Sequence, residues 1–85
     1  VCPNPFNAEV SIAFQLPMSE SFALEIYDAL GRLVRPLATG QGRGGVTEWV
    51  WDGRDAAGRV AASGVYFARL RWASGRRVSR LLLLR

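Results

Sequence analysis

Residues 10–16 read Val-Ser-Ile-Ala-Phe-Gln-Leu, and their alternation decides the fold class. Val10, Ile12, Phe14 and Leu16 fall on one side of an extended chain, while Ser11, Ala13 and Gln15 fall on the other. A period of two is the mark of a strand with one buried face. Pro17 ends the stretch, because it has no amide proton for a ladder. Just upstream stand Pro3, Asn4, Pro5, Phe6 and Asn7. Two prolines so close together exclude a helix interior or a central strand. The segment therefore reads as a rigid lead-in to the first strand, with Phe6 as a plug for the core.

The same period continues downstream. Phe22, Leu24 and Ile26 oppose Ala23, Glu25 and Tyr27. Asp28-Ala29-Leu30-Gly31-Arg32 then reads as a turn, with Asp at its first position and Gly in the left-handed conformation that closes a short hairpin. Residues 32–37 return as a strand, and Pro36 within it points to a sheet edge. The glycine-rich residues 40–45 lack the Lys-Ser/Thr ending of a phosphate-binding loop and no helix follows, so they read as a flexible connection. Residues 46–51 form a strand with apolar groups on both faces: Thr47, Trp49 and Trp51 against Val46, Glu48 and Val50. That pattern suggests a central position and leaves the core face open. After Asp52-Gly53, the segment Asp55-Ala56-Ala57-Gly58-Arg59 repeats the spacing of residues 28–32, which implies the same turn chemistry used twice.

Residues 60–62 fit a short strand or an extended link, and Ser63-Gly64 turns the chain. In residues 65–73, Tyr66, Ala68, Leu70 and Trp72 share one face, opposed by Val65, Phe67, Arg69 and Arg71. The cationic half belongs outside, so the Tyr66 face is the expected core. Residues 73–76 form a hairpin turn, and 77–84 close the domain, with the apolar run Leu81 to Leu84 read as a buried strand. About seven short strands with regular turn signals describe an all-β antiparallel sandwich of immunoglobulin or fibronectin type III kind. Tyr66 stands where a tyrosine corner would, its hydroxyl bonding backbone a few residues upstream.

Composition narrows the chemistry. Eighty-five residues make one domain, 1–85, and 49% hydrophobic residues suffice for a core. Val1 at the start suggests a domain taken from a longer precursor, in which an upstream domain would be a partner. No apolar run approaches the ~20 residues of a membrane-spanning helix. The single cysteine, Cys2, excludes an internal disulfide, and the absence of His excludes His ligands and His general bases. Every cation is an arginine, and the net charge is +4. A charge this modest suits a solvated sheet face, and no nucleic-acid partner is expected. With no Lys either, a serine nucleophile lacks a base, and a thin sandwich has no cleft for a carboxylate pair. The chain is therefore read as non-catalytic and free of cofactors.

Two weaker constellations remain. Asp52 and Asp55 hint at a calcium loop, but calcium wants six to eight oxygens and the loop offers two carboxylates, so a turn explains them better. Trp49, Trp51 and Trp72 could form a sugar-stacking platform, although aromatic residues are equally at home in a sandwich core.

Five blocks in order resemble a known family: Pro-Asn-Pro-Phe-Asn at 3–7, Ile-Tyr-Asp-Ala-Leu-Gly-Arg-Leu-Val at 26–34, Trp-Asp-Gly-Arg-Asp-Ala-Ala-Gly-Arg at 51–59, Ala-Ser-Gly-Val-Tyr-Phe-Ala-Arg-Leu at 62–70, and a final Leu-rich strand ending at Arg85. The chain looks like the type A C-terminal sorting domain of type IX secretion cargo. It is equally similar to the Ig-like domain of flagellar hook-capping proteins. The start and the terminal Arg85 lean toward the first, and residues 51–55 toward the second. Asn7-Ala8-Glu9 departs from the usual Pro and small hydroxyl residues, which should alter a local turn only. The positions that carry the resemblance are Pro3 to Asn7, Tyr27, Asp28, Gly31, Trp51, Asp52, Gly53, Asp55, Gly58, Gly64, Tyr66 and Arg85.

The resemblance to the sorting family implies a secreted or cell-surface location in a Gram-negative-type bacterium and a C-terminal domain read by outer-membrane export machinery, chiefly through its folded surface and residues 78–85. The alternative is a structural Ig-like spacer of a multidomain extracellular or appendage protein. A carbohydrate-binding accessory module is the third choice. A monomer is expected, because Pro36 and the edge arginines discourage strand-edge association.

Overall fold

The structure is a computed structural model and describes residues 8–85. The proposed lead-in at 3–7, with Phe6 as core plug, and Cys2 lie outside the described residues. Six strands follow one another: β1 (Val10–Gln15), β2 (Met18–Asp28), β3 (Leu33–Arg43), β4 (Val46–Trp51), β5 (Gly64–Trp72) and β6 (Gly75–Leu83). β1 and β4 form a two-stranded sheet, and the other sheet has the order β3-β2-β5-β6. All pairings are antiparallel. The expected sandwich is present with six strands among the described residues, not seven. The missing strand is residues 60–62, whose backbone pairing among the described residues is an isolated bridge from Val60 to Arg54 and a bond from Ala61 N to Gly53 O at 2.9 Å. Three residues between two glycine turns are too few to build a ladder.

The alternation read in the sequence sorts the side chains as expected. Ile12, Phe14 and Leu16 from β1 and the turn after it meet Leu24 and Ile26 of β2, Tyr66, Ala68 and Leu70 of β5, and Leu81 and Leu83 of β6 in one core. The open question on β4 resolves in favour of the tryptophans: Trp51 is fully buried and Trp49 packs at the margin. β4 is not central. Among the described residues it pairs with β1 alone, so Val46 and Val50 face solvent. The terminal leucine run also departs from expectation. Leu81 and Leu83 are buried, but Leu82 is 59% and Leu84 70% exposed. β6 is an edge strand with one face on the core, and a strand cannot turn successive side chains the same way.

The glycine-rich stretch is the largest local correction. It is not a loose loop: β3 runs through Arg43, pairing Gly40 with Phe22 and Gln41 with Ser21. Gly42 is needed because the chain packs there on the Pro17 backbone; a Cβ at Gly42 would lie 2.0 Å from the Pro17 carbonyl oxygen. Glycine in a strand often marks such a close approach. The turn itself is only Gly44-Gly45, tied to the link between β1 and β2 by Leu16 N donating to Gly45 O at 2.8 Å. Pro36 sits on an edge strand, as expected, beside a register shift that leaves Leu37 without a partner between Ala38 and Pro36.

Trp51 and Tyr66 join the two sheets. Their rings meet edge to face, with centroids 5.0 Å apart and planes at 66°, an arrangement favoured by the ring quadrupoles. The Trp51 indole N–H donates to Arg54 O at 3.0 Å, so its burial leaves no polar group unpaired. The Tyr66 hydroxyl donates to Ala62 O at 2.6 Å, the tyrosine-corner bond anticipated from position.

Two outcomes are expected. Tyr66→Phe keeps the ring and removes the bond to Ala62, so urea unfolding should show a loss of about 1 kcal/mol; an unshifted midpoint would show that the bond contributes nothing net. Gly42→Ala forces a methyl into the Pro17 backbone and should cost on the order of 1–3 kcal/mol, as overpacking does. A wild-type midpoint for that variant would mean that Pro17 can move aside freely.

Candidate functional site at the turn end of the sandwich

The described motif residues other than Tyr27 converge at one end of the molecule. The two Asp-Ala-x-Gly-Arg segments are one turn built twice. Asp28 Oδ1 accepts from the backbone of Leu30 and Arg32, each at 2.9 Å. Asp55 Oδ1 accepts from Ala57 and Arg59, also at 2.9 Å. Gly31 and Gly58 have φ of 83° and 82°, and each donates to the carbonyl of its Asp at 3.0 Å. The left-handed conformation at this position is one that glycine adopts without steric cost. Each Asp also holds the Arg four residues on: Arg32 Nε donates to Asp28 at 2.9 Å, and Arg59 Nε lies 3.4 Å from Asp55. The backbone N–H groups of Arg32 and Arg59, and then the remaining bonds, hold both carboxyls below their usual range. Ala56 N donates to Val34 O at 3.0 Å, which docks the second turn on β3 beside the first. Between them runs an open groove of about 480 Å³, lined by Asp28, Arg32, Val34, Asp55, Arg59 and Tyr66 among others.

A second convergence locks the segment between β4 and β5. Arg85 donates from Nε to Ala61 O at 2.6 Å and from its backbone to Ser63 Oγ at 3.0 Å. Its Nη2 donates to Gly53 O. Gly53 is buried with φ 72°, and a Cβ there would stand 2.7 Å from the same guanidinium nitrogen. Gly64 opens β5 opposite Leu83. Asp52 accepts from Arg35 Nη1 and from Arg54 N, each at 3.1 Å.

This geometry limits the chemistry available. Asp55 accepts two backbone N–H groups at Oδ1 and faces Arg59 with Oδ2, and Asp52 Oδ1 accepts from Arg35 and from the Arg54 N–H. Among the described residues no three of His, Cys, Asp and Glu stand together as a metal site. The tryptophans do not form a common platform either: Trp51 is fully buried, Trp49 meets Phe22 edge to face at 5.9 Å, and Trp72 lies on the other sheet beneath Arg77.

Tyr27 belongs to a different cluster, on the outer face of the four-stranded sheet, which the sequence did not single out. Glu25 Oε1 accepts from Arg71 Nε at 3.0 Å, from the Tyr27 hydroxyl at 3.1 Å and from Arg69 Nη2 at 3.4 Å. Arg69 also donates to the Tyr27 oxygen at 2.6 Å, and its guanidinium carbon lies 4.6 Å from the centre of the Tyr27 ring. The bond from Arg71 draws the Glu25 carboxyl below its ordinary value, against the opposing effect of burial. Burial, then the bond to Glu25, pushes the Tyr27 phenol up. Alternation put Glu25 with Tyr27, and Arg69 with Arg71, on one face of each strand, but the register that sets Glu25 opposite Arg69 is not written in it.

Acid should weaken the fold. Asp28, Asp55 and Glu25 are depressed in the folded state, so their contribution is complete above their usual values of 3.8, 3.8 and 4.5 and is lost as pH falls through the lower folded values. Asparagine at 28 and 55 keeps the turn acceptor but cannot titrate. The doubly substituted protein, Asp28→Asn with Asp55→Asn, should therefore show a flatter decline of urea midpoint below pH 4 than wild type. Superimposable acid limbs would remove the two turns as a source of acid sensitivity.

No curated protein matches the chain. Among solved structures, FlgD from P. aeruginosa superposes with a TM-score of 0.67 at 23% identity, which is a likeness of fold. The superposition covers 88% of this chain and 59% of that one, so the chain spans little more than half the length of its structural neighbour. The sequence profile of the FlgD Ig-like domain matches residues 4–75, through both Asp-Ala-x-Gly-Arg turns and the tyrosine corner. With most of its length matched, the chain belongs to the FlgD Ig-like domain family.

Proposed function

We propose that the chain is a non-catalytic structural Ig-like module of a flagellar hook-capping type of protein, exported to a bacterial appendage and acting there as a rigid spacer between neighbouring parts of the assembly. The observation that carries this reading is the family match across residues 4–75. The site geometry supports it. The motif residues described at the turn end bond chiefly to one another and to backbone, as parts of a scaffold do, and none is paired with a nucleophile or a second catalytic group.

The comparisons carry the hook-capping half of the resemblance and not the type IX sorting half. The structure also changes what a sorting test must be. Leu81 and Leu83 are core residues, and Arg85 ties down the segment before β5. Deleting residues 78–85 would remove a strand, so lost export after truncation would report unfolding and not lost recognition. The intact domain has to be used.

Two measurements test the proposal together. Immunogold labelling with an antibody to this domain should mark the growing ends of hooks in the source bacterium. A reporter fused to residues 1–85 should stay inside a host that has active type IX export. Label confined to the outer membrane, or export of the intact fusion, would overturn the structural-module reading in favour of sorting.

A further inference from the structure

The outer face of the four-stranded sheet carries cation and apolar surface in excess of what the fold needs. Register places Tyr27, Phe67 and Arg80 in one row across β2, β5 and β6. Glu25, Arg69 and Val78 form the next row, and Ala23, Arg71 and Arg76 the one after. Val65 and Leu82 extend the apolar side. These positions alternate with the buried Leu24, Ile26, Ala68, Leu70, Leu81 and Leu83, so they share the solvent side. Val78 is 57% and Leu82 59% exposed. A groove of about 290 Å³ opens between Tyr27, Phe67, Arg69, Val78 and the turn at Asp28 to Gly31.

The charges on this face do not balance. Glu25 is the single carboxylate in these rows, its side chain is 14% exposed, and it is already bridged by Arg69 and Arg71. Arg76 and Arg80 have no acidic partner among the described residues. Arg76 also stands directly across from Arg71 in the ladder, a like-charge pairing that destabilises a sheet. Arg69, by contrast, is pre-positioned by Glu25 and stacked on Tyr27, so its ordering cost is met before any partner arrives. Rigid aromatic and arginine groups around an apolar floor are the composition of interface centres.

We propose that this face docks an acidic segment of a partner protein, whose aliphatic side chains fill the groove at Tyr27, Phe67 and Val78 and whose carboxylates meet Arg71, Arg76 and Arg80. Charge complementarity selects this occupant. A second copy would oppose arginine to arginine. A nucleic acid would meet the arginines through its phosphates and leave Val65, Val78 and Leu82 uncovered. The proposal concerns this surface alone and holds whichever assembly carries the module.

The test is a titration of the ¹⁵N-labelled 85-residue chain with a peptide of alternating Glu and Leu of the length of β6. A Gln–Leu peptide of the same length, a single-stranded oligonucleotide and phosphatidylglycerol vesicles are run in parallel. Saturable shifts are expected at the outer-face positions of β2, β5 and β6, weakened by added salt and absent with the Gln–Leu peptide. Arg76→Glu with Arg80→Glu, both exposed on an edge strand, should preserve the spectrum of the fold and weaken binding at least about tenfold through like-charge juxtaposition. Phe67→Ala should weaken it as well. No shifts, equal binding of the neutral peptide, or undiminished binding by the charge-reversed variant would overturn the proposal. Tighter binding of the oligonucleotide or the vesicles on the same residues would overturn it too, by assigning the face to phosphate.

Discussion

The structure depends on the contact between Trp51 and Tyr66. A two-stranded sheet has few side chains with which to hold a four-stranded one, and Trp51, a large fully buried side chain, joins Ile12 and Phe14 of β1 from the end of β4. Its ring fits against Tyr66, and each residue then uses its one polar group on the backbone of the same connecting segment: the indole on Arg54 O, the phenol on Ala62 O. Burying these large aromatic groups therefore stabilises the core and also shapes the chain between β4 and β5, where a seventh strand was anticipated. Arg85 reinforces the same segment from the far end of the sequence, bonding Gly53, Ala61 and Ser63. A segment held by Trp51, Tyr66 and Arg85 does not need ladder hydrogen bonds to be ordered.

The repeated turn shows how local chemistry and tertiary placement divide the work. Asp at the first position and Gly at the fourth close the turn by themselves, through bonds within five residues. A backbone bond from Ala56 to Val34 docks the second turn on β3 beside the first. Asp28 and Asp55 accept from the turns they close and from the arginines that follow, and Asp55, read with Asp52 as a possible calcium ligand in the sequence, is engaged in this way. Their lowered proton affinity reflects that role and is structural in origin.

β5 is the strand that serves both sides. Its inward residues Tyr66, Ala68 and Leu70 are core, while Phe67, Arg69 and Arg71 build the outer surface with Tyr27 and Glu25. The two faces of one strand thus carry the core and an arginine-rich outer surface.

The all-β class, the core faces of β1, β2 and β5, the twin turns and the tyrosine corner were legible in the chain because each rests on chemistry within a few residues: period-two alternation, Asp and Gly turn geometry, and a hydroxyl bonding four residues back. Other features were not. Residues 40–45 looked like a loop, since glycine carries no alternation; the approach of Pro17 that makes Gly42 necessary comes from another strand. The leucine run at 81–84 looked uniformly buried because hydrophobicity alone does not reveal an edge strand. The side of β4 that faces the core, and its lack of a second partner, depend on strand order. The Glu25–Tyr27–Arg69–Arg71 cluster arises from the register of β2 on β5. Short-range geometry is written in the order of residues, whereas strand order, register and close backbone approach are settled only when distant segments compete for the same space.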